Sequence, residues 1–176
     1  MFPSQRLHAR AVHSMKLNNA NRYIADECGQ AQDVPLDRFE LTAVPHNAAV
    51  ARERIRGICV KLGFQHLETG EIEVAFGEAV NNAILYGSPH PESKISVSCC
   101  LRRLLQSGPT ALVIQIQDQG AGFDPKNIPA TEVGTDALGG RGVGLMRALM
   151  DAVMLFHNGS GMIVRMARMV PGVEKG

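Results

Sequence analysis

Apolar positions along the chain recur in two rhythms, and each change of rhythm marks an element. In residues 38–44, RFELTAV, Phe39, Leu41 and Ala43 alternate with Arg38, Glu40 and Thr42, the spacing of a half-buried strand. Pro45 and Asn47 then open a helix to about Leu62, with an apolar stripe of Val50, Ala51, Ile55, Ile58, Cys59 and Leu62 and a stop at Gly63. A second helix is predicted from about Gly70 to Tyr86, carried by Ile72, Phe76, Ala79, Val80, Ala83 and Ile84, with Gly87 as its stop. Ile95, Val97, Cys99 and Leu101 make residues 94–101 a strand. A turn from Gln106 to Pro109 leads into another at 111–118. A glycine run at 139–151 starts a helix with Leu145, Leu149 and Met150 on its apolar side. Strands at 152–157 and 162–169 follow, joined by the turn His157–Gly161. Ahead of all this the rhythm is weak. A short helix from about Ser14 to Glu27 and a linker, GQAQDVP, are the readings there.

Strands joined by short turns pair antiparallel, and helices gathered on one face of such a sheet give a two-layer α/β sandwich. The expected fold class is therefore α+β, with a mixed, mostly antiparallel sheet. Residues 36–172 form the domain and residues 1–35 an extension of unassigned role.

Composition narrows the function. The 176 residues suit one domain, and a net charge of +1 gives no general attraction to nucleic acid or membranes. No apolar run reaches the length of a membrane span, and the basic start lacks the apolar stretch of a secretory signal. Cys28, Cys59, Cys99 and Cys100 have no metal-ligand spacing; reduced thiols in a cytoplasmic protein are expected. His90 and His157 read as ordinary surface histidines.

The polar residues inside the apolar patterns carry the chemistry. Glu78 and Asn82 lie four apart in EVAFGEAVNNAILYG, so on a helix they project side by side, while Asn81 points about 100° away. A carboxylate can orient or deprotonate a nucleophile, and a carboxamide oxygen can ligate a hard cation such as Mg²⁺. The strand of residues 111–118 breaks at Asp118, followed by Gly120 and Gly122. Gly140, Arg141, Gly142 and Gly144 stand at the next helix start. Register excludes the commoner glycine motifs. A dinucleotide fingerprint begun at Gly140 has Leu145 where its last glycine belongs, and no Gly-Lys-Ser/Thr triplet makes a P-loop. An EF-hand begun at Asp118 would have Pro129 in place of its closing Glu.

The order of these segments resembles the ATP-binding domain shared by gyrase, a heat-shock chaperone class, mismatch-repair ATPases and histidine kinases, the histidine-kinase-like or Bergerat fold. Glu78 and Asn82 match its N-box, Asp118, Gly120 and Gly122 its first glycine box, and Gly140, Arg141, Gly142 and Gly144 its second. EAVNNAI and GRGVGLMRALMD resemble most closely the bacterial anti-sigma factor serine/threonine kinases, over roughly residues 38–170. The resemblance implies ATP and Mg²⁺ as cofactors. Asp118 would accept the adenine amino group, Gly120 and Gly122 would allow close approach, and Asn82 would ligate the metal. The helix start with Arg141 would hold phosphate, and Glu78 would be the general base. Residues 123–139 would be a short lid. The implied partners are a sigma factor and an anti-sigma-antagonist protein that serves as phosphorylation substrate, with a homodimer as the assembly. A nucleotide-dependent binding module without kinase activity is the alternative. A detached sensor histidine-kinase domain fits less well, because no phospho-acceptor helix pair precedes it. The late-strand threonine of the family is missing from GSGMI, residues 159–163, and whether Ser160 takes its place is open.

Overall fold

The structure, a computed structural model, describes residues 20–25, 31–104, 110–120 and 141–172. In chain order the elements are β1 (Ala31–Thr42), α1 (Pro45–Lys61), α2 (His66–Leu85), β2 (Lys94–Leu104), β3 (Thr110–Gln117), α3 (Arg141–Leu149), β4 (Ala152–His157) and β5 (Met162–Met169). The sheet order is β1-β2-β3-β5-β4. Every described ladder is antiparallel, in keeping with the mostly antiparallel α+β sandwich expected, and no parallel pair occurs among the described residues. The residues expected for the turn at 106–109 and the lid at 123–139 lie outside the described residues.

The period-two pattern sorts the strands' side chains. Ile95, Val97, Ile114, Ile116, Val164 and Met166 face the helices and are buried with Ile55, Ile72, Phe76, Val80 and Met146. Removing a Leu- or Ile-sized side chain from water contributes about 1.5–3 kcal/mol, so this layer dominates the fold's stability. Residues of the opposite parity, Ala111, Val113 and Ala167, meet Ala20, Tyr23 and Ile24 on the second face of the sheet. Arg102 Nη1 donates to the carbonyls of Tyr23 at 3.0 Å and Ala25 at 3.3 Å. Arg165 Nη1 donates to that of Ile24 at 2.9 Å. The three long helices share one face as expected, yet part of the N-terminal extension covers the other.

Two boundaries move for physical reasons. β1 begins at Ala31, inside the stretch expected to be a linker, and the division expected between residues 35 and 36 falls within this strand. Its first half is an exposed edge, where no buried face imposes alternation. Pro35 costs no ladder bond at an edge, and the register shifts between Pro35 and Asp37. Asp33 binds Arg102 through two hydrogen bonds of 2.7 and 2.6 Å. Asp37 binds Arg54 at 3.0 and 2.7 Å. Helix α2 begins at His66 rather than near Gly70, because Glu68 reaches back to accept the Gln65 N–H at 3.0 Å, which satisfies a donor at the helix start. Gly63, at φ 79°, ends α1 in the left-handed conformation that favours glycine.

Candidate functional site

Helix α2 turns its buried stripe to the sheet, which leaves half-buried Glu78 and Asn82 along the margin facing α3. The fit is close: a Cβ built on Gly142 would lie 2.8 Å from Glu78 Oε2 and 3.3 Å from Asn82 Nδ2. Glycine at residue 142 thus lets the start of α3 lie directly over the two polar side chains. Arg141, the first residue of α3, is exposed, and Gly144 faces open space. Gly122 and Gly140 lie outside the described residues.

At the other end, Asp118 follows β3 and is buried. Its N–H donates to the Met162 carbonyl at 3.1 Å. Its Oδ1 accepts from the N–H of Met162 at 2.9 Å and of Gly120 at 3.0 Å. Its Oδ2 makes no hydrogen bond among the described residues. Burial raises the carboxyl's pKa above the ordinary 3.8, opposed by the two backbone N–H donors and by nearby His157.

Between these ends lies a hollow walled by Ala79, Ala83, Ile116, Leu155, Met162 and Val164, with Asn82, Tyr86, Gly87 and Asp118 on its lining. An apolar slot with one convergent acceptor suits a flat heteroaromatic ring whose exocyclic amine donates a hydrogen bond. Asn82 touches both regions, so α2 connects the Asp118 end with the Glu78–Gly142 end. Among the described residues no three His, Cys, Asp or Glu side chains cluster as a metal site. A Mg²⁺ that keeps most of its waters takes few protein ligands, and the Asn82 carboxamide beside Glu78 suits that donor set.

Two residues essential to this shape escaped the sequence reading. A Cβ on Gly87 would overlap the Asp118 carboxylate, and one on Gly161 would overlap the Asp118 backbone carbonyl. Gly87 had a sufficient explanation as a helix stop, and Gly161 as a turn residue, so nothing local marked either as packing against Asp118. Gly120 packs in turn on Gly87, whose carbonyl would lie 2.7 Å from an added Cβ. Ser160 does not supply the missing hydroxyl. It sits exposed in the β4–β5 turn, its N–H donating to Asn158 Oδ1 at 2.9 Å, while the late-strand residues lining the hollow are apolar Met162 and Val164.

Comparison with known proteins agrees with this geometry. A family model described as the histidine kinase-like ATPase domain matches residues 41–168. The chain is 26% identical over 129 residues to the serine-protein kinase RsbW of Listeria monocytogenes serotype 4a (strain HCC23), covering 68% of this chain and 78% of that protein. It is 27% identical over 145 residues to serine-protein kinase RsbW of Oceanobacillus iheyensis, covering 77% and 87%, and 28% identical over 148 residues to that of Bacillus pumilus, covering 78% and 87%. The fold is similar to a crystal structure of the RsbU and RsbW domains of a Mycobacterium tuberculosis protein, with a TM-score of 0.51 and 16% identity over 78% of this chain. The chain spans about a third, 33%, of that longer protein. No described helix is long and apolar enough to cross a membrane. Matched over most of its length, with the N-box and the described parts of both glycine boxes meeting along one helix, the chain belongs to the histidine kinase-like ATPase family.

Proposed function

We propose that the protein binds ATP with Mg²⁺ and transfers the γ-phosphoryl group to a serine or threonine of an anti-sigma-antagonist protein. On the same reading it is a cytoplasmic homodimer that sequesters a sigma factor. The observation that carries the reading is Asp118 Oδ2, which makes no hydrogen bond among the described residues, on the lining of an apolar hollow that Asn82 also lines, with Glu78 one turn away on the same helix under Gly142. The relatives' name, serine-protein kinase, supports the choice of a protein hydroxyl over water as acceptor.

In this reading Asp118 accepts the adenine amine while the apolar walls exclude water from the base. The α3 start, Arg141 to Gly144, would supply N–H donors and a guanidinium to the phosphates, with Gly140 preceding it in sequence. Asn82 would hold Mg²⁺ through its carboxamide oxygen, and the ion would supply neutralisation of the phosphate charge. Glu78 orients the attacking hydroxyl and takes its proton. Catalysis then rests on positioning and charge neutralisation more than on covalent chemistry. Gly120 and Gly122 let the backbone approach the base.

The test is transfer of radiolabel from ATP to an antagonist protein, alongside calorimetric titration of nucleotide. Glu78→Gln should leave ATP affinity nearly intact and lower transfer by about 10²–10⁴-fold, the range of a general base. Transfer at the wild-type rate would remove Glu78 from that role. No transfer by the wild type to any partner it binds would establish a nucleotide-dependent binding module instead.

A further inference from the structure

His157 ends β4 with its ring exposed, yet both ring nitrogens are engaged. The Gly159 N–H donates to Nδ1 at 3.1 Å. A backbone N–H can only donate, so Nδ1 is the acceptor and the proton of the neutral ring sits on Nε2. Nε2 lies 3.3 Å from the Gly120 carbonyl and donates to it. The ring therefore joins the β4–β5 turn to the turn that follows β3. Gly120 is also the residue whose N–H fixes Asp118 Oδ1 at 3.0 Å, and it has little room to shift because it packs on the Gly87 backbone.

We propose that His157 is a positioning residue of the nucleotide site: its Nε2–H holds the Gly120 carbonyl, which sets the turn that aims Asp118 Oδ2 into the hollow. The proposal rests on the nucleotide reading above and assigns to a histidine beside the pocket the anchoring that no hydroxyl on the late strand supplies. Without the ring, Gly120 keeps its N–H bond to Oδ1 but loses the contact that fixes its other peptide unit. Oδ1 stays anchored by the Met162 N–H at 2.9 Å, but with the Gly120 turn free to shift the carboxylate pivots about that bond into orientations that do not meet the base, and affinity falls by the fraction of time it is misaimed.

The two ring contacts can be separated with side chains that reproduce one each. The amide oxygen of asparagine sits where Nδ1 does and can accept from Gly159. The amide nitrogen of glutamine reaches the position of Nε2 and can donate to Gly120. Calorimetric titration of Mg·ATP into the full chain should show His157→Ala and His157→Asn weakened by about three- to tenfold, the effect of one lost hydrogen bond. His157→Gln should return to within about twofold of wild type on the same scale. Wild-type affinity in His157→Ala overturns the proposal. So does equal recovery by asparagine and glutamine, which would mean that the ring only braces the β4–β5 turn. A wild-type chain that binds no ATP overturns the nucleotide reading itself and this proposal with it.

Discussion

Gly142→Ala adds one methyl group at the point where α3 lies over Glu78 and Asn82. The new Cβ would stand 2.8 Å from Glu78 Oε2, whereas a relaxed C···O contact needs about 3.3 Å, so the carboxylate must retreat by about 0.5 Å. Asn82 Nδ2, at 3.3 Å, need give only by a few tenths of an ångström. Glu78 ends a flexible side chain, so the clash is relieved by a rotamer adjustment costing about 0.5–1.5 kcal/mol. Replacing an in-helix glycine with alanine returns about 0.5–1 kcal/mol. The two nearly cancel, and the melting temperature should move by less than about 4 °C. Chemistry is less forgiving: a displacement of about 1 Å can cost about 10²-fold, so half of it should slow phosphoryl transfer by about tenfold while ATP affinity changes little. Single-turnover transfer at saturating ATP, paired with calorimetric titration, reads both. Gly57→Ala is the control: it lies in α1 with nothing within 4 Å of its added Cβ and should stabilise without altering transfer. Wild-type transfer in Gly142→Ala would refute the close approach as the reason for glycine there. A collapse in melting temperature would show that Glu78 cannot give way.

Asp118→Ala should cost about 1.5–3 kcal/mol of nucleotide binding, the value of a charge-assisted hydrogen bond, or roughly ten- to hundredfold in affinity by calorimetry. Asn82→Ala should weaken ATP binding in Mg²⁺ and change it far less in EDTA; equal losses would make Asn82 a packing residue. Burial raises the Asp118 pKa above 3.8, so the folded protein holds that proton more tightly than the unfolded chain. This group's contribution to stability is therefore lost as pH rises from 3.8 through the raised value. Nucleotide affinity should move the opposite way, falling as pH drops through that raised value, because the charged form accepts the base's hydrogen bond. Asp118→Asn should accordingly raise the melting temperature of the nucleotide-free protein at neutral pH while weakening ATP binding.

The elements legible in the sequence were those with one buried face. Helix α1 and strands β3 to β5 follow the periodicity nearly to the residue, because burial against the sheet or helices dictates every second or every third to fourth position. The first half of β1 was illegible for the converse reason. Val34, Pro35 and Leu36 lie along an exposed edge, and side-chain pairs such as Asp33–Arg102 fix the strand through partners distant in sequence. Glu78, Asn82 and Asp118 stood out as candidates because the chemistry proposed for them is local to a short motif. Gly87 and Gly161 could not, since their role depends on which backbone passes beside them in space. The contacts of His157 were likewise not legible, because its ring meets Gly120 only when β4–β5 and the end of β3 are brought together.

The segment at residues 20–25 bears on how the molecule can be dissected. The span shared with the family model begins at Leu41, which divides β1 and omits the segment sealing the second face. A fragment cut to that span would bare Ala111, Val113 and Ala167 and leave Arg102 and Arg165 without the carbonyls they now hold. The β2 ladder would also lose most of its outer neighbour, exposing a long unpaired edge of the kind that recruits other chains. The span of the family match and the unit of mechanical integrity are therefore expected to differ, and a fragment that stands alone should reach back at least to Ala20.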